Sequence, residues 1–228
     1  GTQLRRRSSA ASSRSAERIL CFGEDPLRVH LVGSPAVDGL ESIPPLDDNT
    51  YEALGRPEIV MLLHGQGRPE HEERIDAEIL IDAARRAGRV LLLHPNHDPG
   101  HDAIVAAIEA SGCPHLPHLR REAFIGLLQR IRLLVGNSSS ALIECAALGV
   151  RCVNVGQRQA GREKPPNVFD VPDWDRRKIE LAIERALVLP IPAYRHPYGD
   201  GKAGPRIAEV LATFDERQHG IAKRSTFC

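Results

Sequence analysis

A chain of 228 residues with 42% apolar and 26% charged side chains has the size of one large or two small packed domains and a composition that excludes a disordered polymer. Its thirty basic and thirty acidic residues cancel, which removes the electrostatic footprint of a nucleic-acid binder or of an anionic membrane surface as partner. No apolar run approaches the ~20 residues of a membrane span, and five cysteines without a tight C-x-x-C pair argue against a disulfide scaffold and for a reducing compartment, the cytoplasm being the expected location.

Residues 1–15 carry Arg5-Arg6-Arg7 among serines, with no apolar period and no apolar core of a secretory signal. They are expected to be disordered or the truncated edge of something longer. A short helix is expected over residues 16–22, closed by Gly23, and a strand over residues 29–32, closed by Gly33-Ser34-Pro35. Residues 36–51 are polar and proline-bearing and read as a surface connection.

From there short apolar runs alternate with amphipathic stretches. Runs at 59–64, 90–94, 133–135 and 152–155, with a shorter one at 115–116, read as strands. Stretches at 69–87, 100–111 and 122–130 read as helices. Beyond the last of these strands come a polar loop at 158–166, a helix at 174–189, an extended segment at 190–197, a turn at Tyr198-Gly199-Asp200-Gly201 and a helix from Ala203 to about residue 214. Residues 216–228 are expected to be a C-terminal tail. Strands of this kind are buried on both faces, so the pattern predicts an α/β fold with a doubly wound parallel sheet, a single domain over residues 16–215.

One stretch concentrates the chemistry. The apolar run Leu133-Leu134-Val135 ends in Gly136-Asn137, Ser138-Ser139-Ser140 follow, and an apolar face returns at helical spacing through Glu144. A strand, a tight turn and a helix whose first turn carries the serines would gather backbone N–H groups and hydroxyls for a phosphate, with Glu144 able to accept from a sugar diol. An ordinary capped helix fits the same residues. Ligands of doubly wound sheets lie at the carboxyl ends of the strands. Those ends carry His64-Gly65-Gln66-Gly67, His94-Pro95-Asn96, Gly136-Asn137-Ser138 and Gly156-Gln157-Arg158. Arg158 and Arg162 could clamp a diphosphate, and Asn137 with Arg162 are secondary candidates for phosphate contact.

Other chemistries find less support. No G-x-G-x-x-G or Walker lysine motif is present, and no G-x-S-x-G elbow surrounds the serines. His97 and His101 are split by Pro99-Gly100 and lack a third ligand, so no metal is expected. Glu163, Asp173 and Asp175 form no pair spaced for general acid–base work.

Taken together, Gly136-Asn137-Ser138-Ser139-Ser140, Glu144 and the run from Val153 to Glu163 resemble the signature of the hydrolysing UDP-N-acetylglucosamine 2-epimerases. His94-Pro95-Asn96-His97-Asp98-Pro99-Gly100, Tyr198-Gly199-Asp200-Gly201, Gly23-Glu24-Asp25-Pro26 and Val32-Gly33-Ser34-Pro35 are similar in order and spacing. The resemblance covers about residues 14–214. It implies the Rossmann-like, C-terminal, UDP-binding half of a GT-B fold. It implies a UDP-sugar substrate (UDP-N-acetylglucosamine or a 2,4-diacetamido relative), released as N-acetylmannosamine or a related sugar plus UDP in sialic-acid-type pathways. Ser138 and Ser139 would hold the diphosphate, Glu144 the ribose, Arg158 the phosphates, Asn96 and Leu119 the uracil side, and His64 would serve in catalysis. No cofactor is implied.

The chain departs from the family at His64-Gly65-Gln66-Gly67, where the family usually has His-Pro-Val-Thr, and it lacks the N-terminal domain that supplies the catalytic carboxylates. That absent domain is then an expected partner, the isolated chain is expected to be inactive, and a homo-oligomer is compatible with the resemblance. A non-hydrolysing UDP-N-acetylglucosamine 2-epimerase and a non-catalytic nucleotide-sugar-binding module are the alternatives.

Overall fold

The computed structural model describes residues 7–213, so the tail expected over 216–228 and the first six residues lie outside the described part. Where the sequence suggests one domain over 16–215, contacts divide the described residues into two units, 41–194 and 7–40 with 195–213.

Within the smaller unit, β1 (Ser8–Ala10) and β2 (Val29–Leu31) pair in parallel, Ser8 opposite Val29, with α1 (Ser13–Cys21) as the crossover. Ser12 caps α1, its hydroxyl accepting from the Ser15 N–H at 3.3 Å. β1 falls in the stretch expected to be disordered. Its three residues hold no apolar pattern, and it is a strand because β2 offers it a ladder. The final helix of this unit, Ala203–Ala212, starts on a carboxylate: Asp38 accepts from the N–H groups of Ala203 at 2.9 Å and Gly204 at 2.6 Å. An acidic group there satisfies donors that a helix start leaves open.

The larger unit begins with a short helix that the sequence reading passes over as loop, α2 (Asp48–Ala53), capped by Asp47. Six strands follow: β3 (Ile59–Leu62), β4 (Val90–Leu93), β5 (His115–Leu116), β6 (Leu133–Gly136), β7 (Arg151–Val155) and β8 (Val168–Val171). They form one sheet in the order β5-β4-β3-β6-β7-β8 with every pair parallel. β8 is absent from the sequence reading, since a half-buried Val-Phe-Asp-Val at a sheet edge has neither the length nor the apolar continuity of the inner strands.

On one face, where Met61, Leu92, Val135 and Val153 point, α3 (Glu70–Ala87) lies between α4 (His101–Ala110) and α7 (Arg176–Val188). Glu70, Glu72 and Glu73 favour the positive start of α3. Ala77, Leu80, Ile81 and Ala84, one helical stripe, are buried. Each large aliphatic side chain so buried contributes about 1.5–3 kcal/mol. On the other face α6 (Glu144–Leu148) packs on β7, and α5 (Arg121–Leu128) packs on α6. Among the described residues no helix is long and apolar enough to cross a membrane.

Candidate functional site

The strand order reverses between β3 and β6: the chain runs outward from β3 to β5, then returns to the other side of β3. At such a switch point the connections leave in opposite directions and open a crevice at the carboxyl ends. The residues that meet there are His64 and Gly136-Asn137-Ser138. A side chain at Gly136 would put its Cβ 2.0 Å from the Leu62 carbonyl oxygen, and φ is +142°, so only glycine lets the two strand ends close.

Immediately after, the side chain of Asn137 continues the ladder. Its Nδ2 donates to the His64 carbonyl at 2.8 Å, and its Oδ1 accepts from the His64 N–H at 2.8 Å. Asn137 is 0% exposed. An amide is the side chain suited to this, because it offers one donor and one acceptor as a peptide unit does. Both heavy atoms of the Asn137 amide are therefore engaged within the chain, joining two strand ends rather than facing solvent.

His64 is only 7% exposed. Its Nδ1 accepts the Asn96 N–H at 3.1 Å, which leaves the proton of the neutral ring on Nε2. Burial lowers its pKa to about 4; the Arg158 guanidinium adds to this, while Asp98 and the Asn96 side chain oppose it. At neutral pH the ring is thus an uncharged N–H donor.

The loop that follows His64 is held from beneath. Oε1 of Glu73, on the first turns of α3, accepts from the N–H groups of Gln66 at 2.7 Å and Arg68 at 3.1 Å, and Glu73 is 1% exposed. From the other side Gly65 packs so closely on the next loop that a Cβ would lie 2.1 Å from the Pro99 carbonyl oxygen. This contact accounts for glycine at 65. Glu73 is missing from the sequence reading, as an acid in a helix's first turns is ordinary; nothing in the sequence marks it as buried.

The serines differ from expectation. They do not begin a long helix: Ser139–Ala141 is a single 3-10 turn capped by Ser138, and α6 starts only at Glu144 and spans 5 residues. The Ser138 hydroxyl accepts from the Ser140 N–H at 3.3 Å and donates to the Ser140 hydroxyl at 3.2 Å. Short polar side chains bonding their own backbone compete with α-helix, which explains the break. The turn gathers hydroxyls, but the pull of a long helix dipole is not available to it.

Glu144 is nearly buried, its side chain 14% exposed and 3.8 Å from the Arg121 guanidinium. Burial raises its pKa, with its own backbone N–H and Arg121 pulling the other way. Arg121 opens α5, two residues after Leu119, so Leu119 and Glu144 belong to neighbouring segments.

Arg158, beyond the end of β7, reaches back across the switch point. It donates through Nη1 to the Asn137 carbonyl at 3.4 Å and through Nη2 to Asp98 Oδ2 at 3.1 Å. Asn96 Nδ2 donates to the same Asp98 oxygen at 3.3 Å, and Gln159 Nε2 donates to the Asn137 carbonyl at 2.8 Å. Hydrogen bonds thus link His64, Asn96, Asn137 and Arg158, with Ser138 next in chain to Asn137. Arg162 is exposed on the adjoining turn. The His97 and His101 rings lie 4.7 Å apart, and His101 Nδ1 is bonded to the Asn96 carbonyl at 3.0 Å. Among the described residues no three His, Cys, Asp or Glu side chains are grouped to hold a metal. Around the crevice stand donors (a neutral imidazole N–H, hydroxyls, a guanidinium) with one acid among them, the Asp98 carboxylate on Arg158; donors of this kind can serve an oxyanion.

A family model described as UDP-N-acetylglucosamine 2-epimerase matches residues 4–212. The chain is 31% identical over 216 residues to a UDP-N,N'-diacetylbacillosamine 2-epimerase (hydrolyzing) of Legionella pneumophila, covering 89% of this chain and 56% of that protein. It is 27% identical to a UDP-N-acetylglucosamine 2-epimerase of Neisseria meningitidis, covering 78% and 49%. Among solved structures, a UDP-GlcNAc 2-epimerase of Methanocaldococcus jannaschii in complex with UDP-GlcNAc and UDP superposes with a TM-score of 0.71 at 16% identity, over 89% of this chain and 60% of that one. The chain spans about half the length of the curated relatives it matches, 56% and 49%.

Proposed function

The chain belongs to the UDP-N-acetylglucosamine 2-epimerase family, its sheet being the Rossmann-like C-terminal half of a GT-B fold, and from that premise we propose that the switch-point site holds the UDP of a UDP-2-acetamido sugar during a hydrolysing epimerisation. The observation that carries this reading is the convergence of Arg158, the Ser138 turn and the neutral His64 ring on one crevice. In this reading Arg158, Ser138 and Ser139 hold the diphosphate. Glu144 accepts from the ribose hydroxyls, Asn96 and the backbone at Leu119 face the uracil, and exposed Arg162 is a secondary phosphate contact. Asn137 acts as the strut that sets His64, not as a ligand.

Breaking the bond between C1 of the sugar and the diphosphate leaves negative charge on phosphate oxygens. Donors already aimed at that charge lower the barrier, and His64 donates through Nε2 without itself being charged. A base for the proton at C2 is a different matter. Glu73 is buried under a loop, Glu144 is on the ribose side, and Asp98 lies beside the guanidinium assigned to the diphosphate and not to the sugar. In this reading the proton-moving groups come from a partner domain, and the isolated chain is expected to turn over UDP-sugar poorly or not at all.

Hydrolysis rather than exchange between UDP-sugars is favoured by the relative named as hydrolyzing; product analysis of the active assembly distinguishes free sugar plus UDP from an epimeric UDP-sugar. Calorimetric titration with UDP tests the site itself. Binding that Ser138→Ala or Arg158→Ala weakens is expected, and a folded chain that takes up no UDP would overturn the proposal.

A further inference from the structure

We propose that Asp98 is a built-in competitor of the ligand, its carboxylate occupying the phosphate-gripping guanidinium of Arg158 until a diphosphate displaces it. The inference rests on the UDP-site reading above.

The Arg158 fork is filled by two oxygens of the chain itself, Asp98 Oδ2 at 3.1 Å and the Asn137 carbonyl at 3.4 Å. Two oxygens on neighbouring donors is how a guanidinium receives an oxyanion. Asp98 supplies the charged one, and the Asn96 amide supports it with a bond to the same oxygen at 3.3 Å. One carboxylate thus engages two side chains that the ligand would use.

Exposure separates this pair from the structural acids nearby. The Arg158 and Asp98 side chains are 27% and 41% exposed, whereas those of Glu73 and Asp76 are only 2% and 8% exposed. Separating a buried pair strands a charge out of water; separating Arg158 from Asp98 does not, since the carboxylate can turn to solvent. The contact is therefore an exchangeable one.

Its consequence is a site whose main cation is neutralised when empty. A small inorganic anion has to break the ion pair with only its own charge to offset it, while a nucleotide also gains contacts through base and ribose. The displacement costs the same free energy for either anion, so both affinities fall by the same factor, and the nucleotide stays bound at concentrations where the fragment does not because of its further contacts. It also returns to Arg158 as diphosphate leaves, which favours release. A carboxylate that merely positioned Arg158 would have the opposite effect on affinity, so the sign of one substitution decides.

The experiment is calorimetric titration of UDP, and separately of inorganic pyrophosphate, into the wild-type chain, Asp98→Asn and Asp98→Glu. Asp98→Asn is expected to tighten UDP about two- to fivefold, the scale of a partly exposed ion pair, and to tighten pyrophosphate by the same factor. Asp98→Glu, which keeps the charge, should stay near wild type. Unchanged or weaker UDP binding by Asp98→Asn, or equal tightening by Asp98→Glu, would overturn the competitor while leaving the UDP site standing. A folded wild-type chain that binds neither UDP nor pyrophosphate would remove the site and the competitor together.

Discussion

Replacing Asn137 with alanine separates the strut between β3 and β6 from everything else at the crevice. The substitution leaves the main chain in place, so the bonds from Arg158 and Gln159 to the Asn137 carbonyl survive. What disappears is the pair of 2.8 Å bonds to the His64 N–H and carbonyl, at a position with 0% exposure. A buried main-chain group left without a partner costs about 1–3 kcal/mol, so the two together cost roughly 3–4 kcal/mol. With a urea dependence of about 2 kcal/mol per molar, the unfolding midpoint should fall by roughly 1.5–2 M. UDP affinity should fall with it, because His64 loses the bonds that fix its backbone. Asn137→Asp adds a test of sign. The ionised carboxylate can still accept from the His64 N–H but opposes the His64 carbonyl, and only its protonated form restores both bonds. A carboxyl whose pKa is raised on folding binds protons better in the folded state, so Asn137→Asp should gain stability relative to wild type as the pH falls from 7 towards 4. A loss below ~1 kcal/mol in the alanine variant, or a flat pH dependence in the aspartate variant relative to wild type, would refute the strut.

Two further predictions concern the loop below the crevice. His64 has a folded pKa near 4 against an ordinary 6.5, so between those values the unfolded chain takes up a proton that the folded chain refuses. Stability should therefore decline as pH falls from 6.5 to about 4, by on the order of 3 kcal/mol. Urea titrations across that window should show the decline in wild type and not in His64→Gln, and identical slopes would count against it. Glu73→Gln keeps an acceptor for the Gln66 and Arg68 N–H groups and should cost about 1 kcal/mol, while Glu73→Ala removes it and should cost about 3 kcal/mol. Amide exchange at residues 66 and 68 reads the difference directly, and slow exchange in the alanine variant would contradict the role given to Glu73.

Much of the larger unit is legible because its code is repetitive. The runs at 59–64, 90–94, 133–135 and 152–155 are too short and too apolar for anything but strands covered on both faces, and the helices between them carry a clear stripe. The elements that escape are those whose structure is conferred by neighbours. β1 is Ser-Ser-Ala and needs β2; α2 is polar and stands on its Asp47 cap; β8 is an edge strand with one charged residue in four. The serine turn misleads for a related reason. Apolar spacing after Ser140 is helical, but the serines bond locally, and the α-helix waits until Glu144.

The sequence by itself determined the alternation of strand and helix, hence parallel pairing and the expectation of a ligand site at the carboxyl ends, because pattern and burial are properties of segments. It also carried the polar residues that mark those ends, and the family resemblance with them. Strand order is a property of the whole sheet, so only the tertiary structure brought β3 beside β6 and made their ends the crevice. Tertiary structure likewise let the Asn137 amide bridge to the His64 backbone, buried His64 as a neutral donor, and brought Asp98 to Arg158 from loops 60 residues apart. Bonds across such separations depend on where the chain returns, and no local pattern records that.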